Sequence, residues 1–395
     1  MKQQGFFKNM TSAERYIFFC CYFAFFVNGA FSLMMGSVLP MLSYEYQLSY
    51  SVSGFLLSSH SIGNLFSSFV AGLVPFYLGK KKSIMLLSSC ILIGFAMMTV
   101  WGNPIWLIAA FWMTGFGRGS VSNFNNAMVN EISNSSTFAL NLLHSFFAIG
   151  AFLAPFFVIA CTRGGTSGWR TAVLLVVALG LFTLLSYTRM NIKNDKPVKG
   201  EKQKIDYGFL KQPHFWISAG LLFFYLCAEN GINGWIVTYF IKSEVMSKAY
   251  AQTLAGILWL VILIGRLICG ALSSRVSKKA ILLTTTSGVC AFFVLLISTA
   301  NIVVITISII GLGFFMAGIY PTTVANVGST IKAYPMAMSV LLTIAGIGAI
   351  AMPSIVGTVA EFAGIAGGMS LITVAVIIMF VFAVVNAVRK QSEQA

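Results

Sequence analysis

The stretch "AENGINGWIVTYF", residues 228–240, sets Glu229, Asn230, Asn233 and Trp235 inside an apolar run long enough to cross a bilayer. An ionised group at the middle of a spanning helix costs about 3 kcal/mol on insertion scales, so such a residue faces a cavity or a partner. Glu229 and Asn233 are four positions apart and share a helix face, with Trp235 and Tyr239 following. Two kinds of chemistry suit a carboxyl in that place. It can hydrogen-bond a polar solute, and because burial disfavours the ionised form it can take up a proton with the solute. A neighbouring arginine would act the other way and hold it ionised. Both outcomes stay open at the level of sequence, as does a purely packed or paired Glu229.

A second constellation lies at 118–126. Arg118, Ser122 and Asn126 recur at intervals of four and Asn125 lies seven from Arg118, which makes one polar stripe on a helix. Gly115 and Gly119 allow another helix to come close there. Arg118 either pairs with Glu229 or caps carbonyls, or it donates to solute hydroxyls or to a solute carboxylate, which would favour an acidic sugar. Asn28, His60, Asn64, His144 and Asn326 either bridge helices or reach the solute. Trp235 could stack on the apolar face of a sugar ring, and Tyr320, followed by Pro321, is a further candidate contact. Arg266 reads as snorkelling at a helix end or as a gate contact. Pro155, Pro321 and Pro353 read as bends.

The elements that must position these residues follow from composition. The chain has 395 residues, 58% hydrophobic and 9% charged, far too apolar for a soluble domain. Twelve apolar stretches of spanning length are expected at 16–42, 50–78, 83–101, 105–131, 137–161, 170–188, 214–241, 251–274, 280–300, 302–326, 334–358 and 365–388. They lack strand-like alternation, so the fold class is an all-α integral membrane protein with twelve transmembrane helices. The polar stretch 190–213 reads as a linker between two six-helix bundles, 1–189 and 214–395.

The net charge of +15 raises the question of nucleic acid, and the placement of the basic residues excludes it. Counted by alternate sides, one side holds Lys80–Lys82, the basic run of 189–211, Arg275, Lys278, Lys279, Lys332 and both ends of the chain. The other holds Arg163, Arg170, Lys242 and Lys248. This positive-inside bias places both termini in the cytoplasm. The lysines of the linker also suit contact with membrane lipids of anionic headgroup, beside the plainer reading of a solvated loop. The seven cysteines fall in or at the ends of apolar runs without metal-like spacing and are expected as buried free thiols. A removable signal peptide is not expected, because no small-residue cleavage site follows a short apolar core.

The halves echo one another at an offset of about 200 positions. "FFVNGAF" around Asn28 answers "CAENGIN" around Asn230, "GFG" at 115–117 answers "GLG" at 311–313, and "IGAFLAP" at 149–155 answers "IGAIAMP" at 347–353. Gly72 and Gly270 each lead into a basic loop, "GLVPFYLGKKK" and "GALSSRVSKK". With twelve spans, a central polar loop and this repeat, the whole chain resembles the major facilitator superfamily of secondary transporters. Against that family's glycine-to-basic motif, Phe76 and Tyr77 replace the usual Asp and Arg, and Ser274 stands where Asp is usual in the second half. Any salt-bridge gate built on the motif is therefore in question.

A narrower resemblance is to the fucose–proton symporter and sugar permease branch, carried by "GFGRGSVSNFNNAMV", "LNLLHSFFAIGAFLAP", "AENGINGWIVTYF" and "GIYPTTVANV". That branch carries carboxylates in the first and fourth helices, where Gly36 and Ser120 align here. The resemblance implies a sugar transporter of the bacterial-type plasma membrane, working by alternating access at a midplane site; the placement of Glu229 then makes it a ligand and, if the protein is a symporter, the proton carrier. Its substrate would be a sugar or sugar acid, the protein a monomer, with no cofactor, no metal and no nucleic acid. No G-x-x-x-x-G-K-[ST] loop, H-E-x-x-H or paired catalytic acids argue for ATP use or for an enzyme. An exporter of lipophilic compounds, which would leave the Asn, Arg and Glu side chains unpaired, and a non-transporting sensor on the same fold are the competing readings.

Overall fold

The computed structural model describes residues 10–133, 137–192, 206–273, 275–334 and 336–389, with the backbone alone at 137 and 138. Most of the linker expected at 190–213, and Ser274, lie outside the described residues. No strand occurs among the described residues. The helices are α1 (Ser12–Glu45), α2 (Tyr50–Leu78), α3 (Lys80–Met98), α4 (Pro104–Ile132), α5 (Thr137–Thr162), α6 (Trp169–Thr188), α7 (Pro213–Lys242), α8 (Lys248–Leu272), α9 (Lys278–Ile297), α10 (Ile302–Met316), α11 (Ile319–Asn326), α12 (Gly328–Ala333) and α13 (Met336–Val388).

Their starts are written locally. Thr11 and Glu14 close a capping box at α1, and Asn103 accepts from the backbone N–H of Ile105 (3.0 Å) and Trp106 (3.3 Å), with Pro104 in the first turn of α4. Ser49, Ser247, Ser277 and Asn301 cap α2, α8, α9 and α10 in the same way.

Ten helices qualify as spans by length and apolarity among the described residues. That count omits α4, whose apolar character is diluted by its polar stripe, and takes α13 once. At 53 residues α13 would be about 80 Å long, far more than one crossing needs. Gly364, at φ 69° and ψ 169°, breaks it into two, a conformation that glycine adopts without a steric penalty. Twelve crossings result. The tenth is itself interrupted, at Ala317–Gly318 between α10 and α11.

The chain divides into two compact units, Met1–Lys199 and Gly200–Ala395. In the first, α2 and α3 pack on α4, and α1 packs on α5 and α6; in the second, α7 packs mainly on α13, and α10 on α8 and α9. In a bilayer no hydrophobic force presses helices together, so close approach at small residues supplies dispersion contact instead. A Cβ at Gly115 of α4 would lie 1.8 Å from the His60 carbonyl oxygen, and one at Gly313 of α10 would lie 2.8 Å from that of Leu258. Gly313 follows Gly115 by 198 positions, as Leu258 follows His60. The pair Gly150 on Phe26 (1.8 Å) and Gly348 on Phe223 (2.4 Å) repeats at 198 and 197.

Backbone contact thus sets the register of the repeat, which agrees with the match of 149–155 to 347–353 and differs from the motif match around Asn28 and Asn230. Gly29 abuts the Phe147 carbonyl, whereas Gly231 faces the side chains of Ile372 and Met352. Asn28 and Asn230 are not structural equivalents, because the match followed a shared dipeptide rather than the helix surface that must be flat.

Lysines tie the ends of each unit. Lys80 Nζ pairs with Glu131 (3.0 Å) at the end of α4 and Lys81 Nζ donates to the Thr188 carbonyl (2.6 Å) at the end of α6. In the second unit Lys278 Nζ donates to the Ala325 carbonyl and Lys279 Nζ to that of Arg389, both at 2.6 Å. Helix C-termini carry unpaired carbonyls and partial negative charge, which ammonium groups satisfy. These ties answer the loss of the motif's acids without a carboxylate in the loop itself.

The opposite end of the first unit is held by Glu45, which accepts from Trp169 Nε1 (2.7 Å) and from Arg170 Nη1. Arg170 also donates to the Tyr46 hydroxyl (3.1 Å) and the Thr99 carbonyl (3.1 Å), and lies 5.0 Å above the Trp169 ring. Glu45→Gln is expected to lower stability by about 1 kcal/mol, modest because both partners are about a third exposed. A fall of a few degrees in the melting temperature of the detergent-solubilised protein reads it, and an unchanged melt would remove this cluster from the stabilising set. All seven cysteines are free, as expected, although Cys90, Cys161, Cys269 and Cys290 are only half-buried.

Candidate functional site

The second unit brings a cluster of ionisable groups together on α7, α8 and α11. Tyr225 lies one turn before Glu229 on α7, and its hydroxyl donates to Glu229 Oε1 at 2.8 Å. The break at Ala317–Gly318 starts α11 beside them, and the Tyr320 ring comes within 6.5 Å of the Tyr225 ring. Arg266 of α8 acts electrostatically on both tyrosines, as Glu229 does. Gly265 makes this approach feasible, since its missing side chain lets α8 lie against Ala317 and the Phe314 carbonyl. A carboxyl, a guanidinium and two phenols therefore share one neighbourhood, able to bind a polar solute and to hold a proton. Arg266, read from the sequence as snorkelling at a helix end or as a gate contact, lies near this cluster.

The remaining α7 candidates divide. Asn233 is half-buried and accepts from Trp259 Nε1 at 3.2 Å, and Asn230 turns its Nδ2 back to the Leu226 carbonyl at 3.0 Å. Trp235 is wholly buried, with Nε1 donating to the Pro353 carbonyl at 3.0 Å. The structure places it in the packing of α7 on α13 instead of on a solute-sized surface, because a buried indole N–H needs an acceptor and the Pro353 carbonyl supplies one. Asn326 links α11 to α13 through Asn386 (3.1 Å), and its carbonyl meets His214 Nε2 at 3.0 Å.

In the first unit Arg118 is half-buried, lies 5.7 Å from the Phe147 ring centroid, and acts electrostatically on His60. His60 Nδ1 is 2.9 Å from Thr114 Oγ1 across the α2–α4 contact that Gly115 permits. Ser122 accepts from Asn28 Nδ2 (3.0 Å), and Asn126 Nδ2 donates to the Ser122 carbonyl (2.9 Å). Asn125, its neighbour in sequence, points elsewhere: it is fully buried and exchanges hydrogen bonds of 2.8 and 3.2 Å with the Tyr187 hydroxyl. It fixes α4 to α6. His144 is exposed, with its ring edge-on to Phe25 at 5.5 Å. Asn64 gives its carbonyl to Ser67 Oγ (2.7 Å).

Asn28 is 1% exposed and lines, with Ser88 and Thr183, a cavity of about 20 Å³ inside the first unit. That volume suits a single water and is far below what a sugar needs. The structure thus brings Asn28, Ser122 and Asn126 to one run of contacts, sets Arg118 beside Phe147 and near His60, and brings Glu229, Tyr320 and Arg266 to one neighbourhood, while Asn125 and Trp235 belong to the helix packing. Tyr225 escapes notice in the sequence, although its spacing of four from Glu229 is a usable signal. Among the described residues no group of three or more His, Cys, Asp or Glu could hold a metal ion.

The profile of the Major Facilitator Superfamily matches residues 21–326 and 241–395. A TsgA homolog of Erwinia tasmaniensis is 22% identical over 365 residues, covering 90% of this chain and 91% of that protein. Bypass of stop codon protein 6 of Saccharomyces cerevisiae is also 22% identical, over 87% of this chain and 77% of its own. Among solved structures, a bacterial homolog of the human lysosomal transporter Spinster superposes with a TM-score of 0.77 at 13% identity, covering 96% of this chain and 98% of its own. The nucleoside transporter NupG does so with a TM-score of 0.74 at 16% identity, over 95% and 98%. At such identities these two likenesses speak for the fold.

Proposed function

The chain belongs to the Major Facilitator Superfamily, a family of transporters and not of enzymes, and from that premise we propose that it moves a sugar or sugar-like polar solute across the membrane by alternating access, coupled to protons through Glu229. The observation that carries the reading is the Tyr225–Glu229–Tyr320–Arg266 neighbourhood. A carboxyl in a spanning helix, hydrogen-bonded to a phenol and with a guanidinium near, has a reason to be there if its protonation changes during a cycle. An apolar cargo gains nothing from these groups and would leave them desolvated. The sugar-permease motifs at 115–129, 140–155, 228–240 and 318–327 support the choice of solute class.

In this proposal Arg118, Ser122, Asn126 and His144 of the first unit, and Glu229, Asn230, Asn233 and Tyr320 of the second, contact the solute. Asn28, Asn125 and Trp235 hold their helices in place. The protein resides as a monomer in a bacterial-type plasma membrane with both termini in the cytoplasm, as the distribution of Lys and Arg supports.

A thermal-stability screen of the purified protein against neutral sugars, uronic and sialic acids, nucleosides and lipophilic amines tests the reading. A ligand at about 100 times its Kd stabilises the folded state by about 2.7 kcal/mol. A shift with one sugar class that disappears in Asn126→Ala is the expected result. A shift confined to nucleosides or to lipophilic amines would displace the sugar reading.

A further inference from the structure

The second unit carries an apolar groove of about 540 Å³ near the start of α7, walled by Ala219, Gly220 and Phe223 of α7 and by Ile344 and Phe382 of α13, with Lys211 at its rim. We propose that this groove is a binding site for one anionic phospholipid, which seats an acyl chain against the apolar wall and its phosphate on Lys211. The proposal goes beyond the transport reading and uses only the orientation given above, in which Lys211 faces the cytoplasmic leaflet where anionic lipids concentrate.

The internal repeat shows how the α7 wall of the groove differs from its counterpart in the first unit. Gly150 on Phe26 and Gly348 on Phe223 align α1 with α7 at 197 positions. In that register Tyr22 and Phe23 of α1 correspond to Ala219 and Gly220. In the first unit the space is full: the Tyr22 ring stacks on Phe146 at 5.4 Å and the Phe23 ring meets Phe182 edge-on at 5.3 Å. In the second unit a methyl group and a hydrogen stand in place of the two aromatic side chains, and the Phe382 ring closes on Gly220, where a Cβ would lie 2.5 Å from it, so that the α7 wall of the groove is flat.

The rim changes sign with the same register, since Glu14 of the first unit corresponds to Lys211. Lys211 is exposed, and the hydrogen bond from Thr330 Oγ1 to Gln212 Oε1 (2.8 Å) brings the segment of exposed Lys332 to the same end. Asp206 accepts from the Gly208 N–H at 2.8 Å, and no Asp or Glu follows it from Gly208 to Phe223. Trp216, half exposed, lines the groove and donates Nε1 to the Leu210 carbonyl at 2.8 Å, the placement of an indole at a headgroup level. Charge at the rim selects an anionic headgroup; the wall accepts hydrocarbon.

Native mass spectrometry of the full-length protein, released from detergent after incubation with phosphatidylglycerol or phosphatidylethanolamine of identical acyl chains, tests this without any transport assay. The expected result is one retained phosphatidylglycerol, with retention at least about fivefold above phosphatidylethanolamine, the preference expected of one ammonium at the surface. Lys211→Ala, an exposed site that leaves packing intact, should erase the preference. Ile344→Trp should reduce retention of both lipids by filling the wall, with its melting temperature confirming that it folds. Equal retention of the two lipids, or a preference untouched by Lys211→Ala, would overturn the proposal, as would retention unchanged in a folded Ile344→Trp.

Discussion

Glu229→Gln is expected to abolish concentrative, proton-driven uptake into proteoliposomes while leaving exchange of labelled for unlabelled solute across the same membranes. Gln keeps the shape of the side chain and an oxygen to accept from the Tyr225 hydroxyl, now at 2.8 Å from Glu229 Oε1, but it can neither bind nor release a proton. Accumulation should fall to equilibration, with equal solute concentrations inside and outside, because without a titrating group the proton gradient no longer drives the solute. Tyr225→Phe removes a neutral partner and should cost about tenfold or less. Exchange flux separates coupling from binding: a variant that neither accumulates nor exchanges has lost the solute site. Accumulation at the native level in Glu229→Gln would end the assignment of Glu229 as proton carrier, and the transporter would then work as a uniporter or with another group.

Gly150→Val should be the most damaging single change to the fold. A Cβ there would lie 1.8 Å from the Phe26 carbonyl oxygen and 3.1 Å from the Ala30 nitrogen, and both belong to the backbone of α1. A flexible side chain could swing aside, but a helix backbone can only move as a whole, so the cost exceeds the 1–3 kcal/mol typical of overpacking. Loss of the monodisperse peak in size-exclusion chromatography is the expected result. Gly72→Val is the matched control, because nothing lies within 4 Å of a Cβ at that site, and it should elute like the native protein. If Gly150→Val also elutes normally, close approach of α1 and α5 is not what holds the first unit together.

The class of fold and the number of crossings are legible in the amino-acid sequence, because a bilayer demands long apolar runs and a backbone that satisfies itself. Glu229 and Arg118 stand out for the same reason, since a charge in such a run is expensive and therefore conspicuous. What fails to show is direction. Asn125 and Asn126 differ by one position, about 100° around a helix, and only packing decides that one binds Tyr187 inside the unit while the other stays half-buried. Trp235 misleads for a related reason, as an indole amid polar residues suits a sugar and suits a buried carbonyl equally well. Arg266 invites a reading by its distance from a helix end, whereas its surroundings come from a break in a different helix, at Ala317–Gly318. The repeat is legible as a repeat, yet its register depends on which glycines touch backbone.

The junction at Gly364 bears on how the protein is made. One residue in a left-handed conformation is all that separates the last two crossings of α13, too little chain for the ribosome and translocon to treat them as separate events. The first of the pair cannot settle in the bilayer and wait for the second; both must enter together as a helical hairpin. The final quarter of the second unit is thus committed to the membrane in a single step.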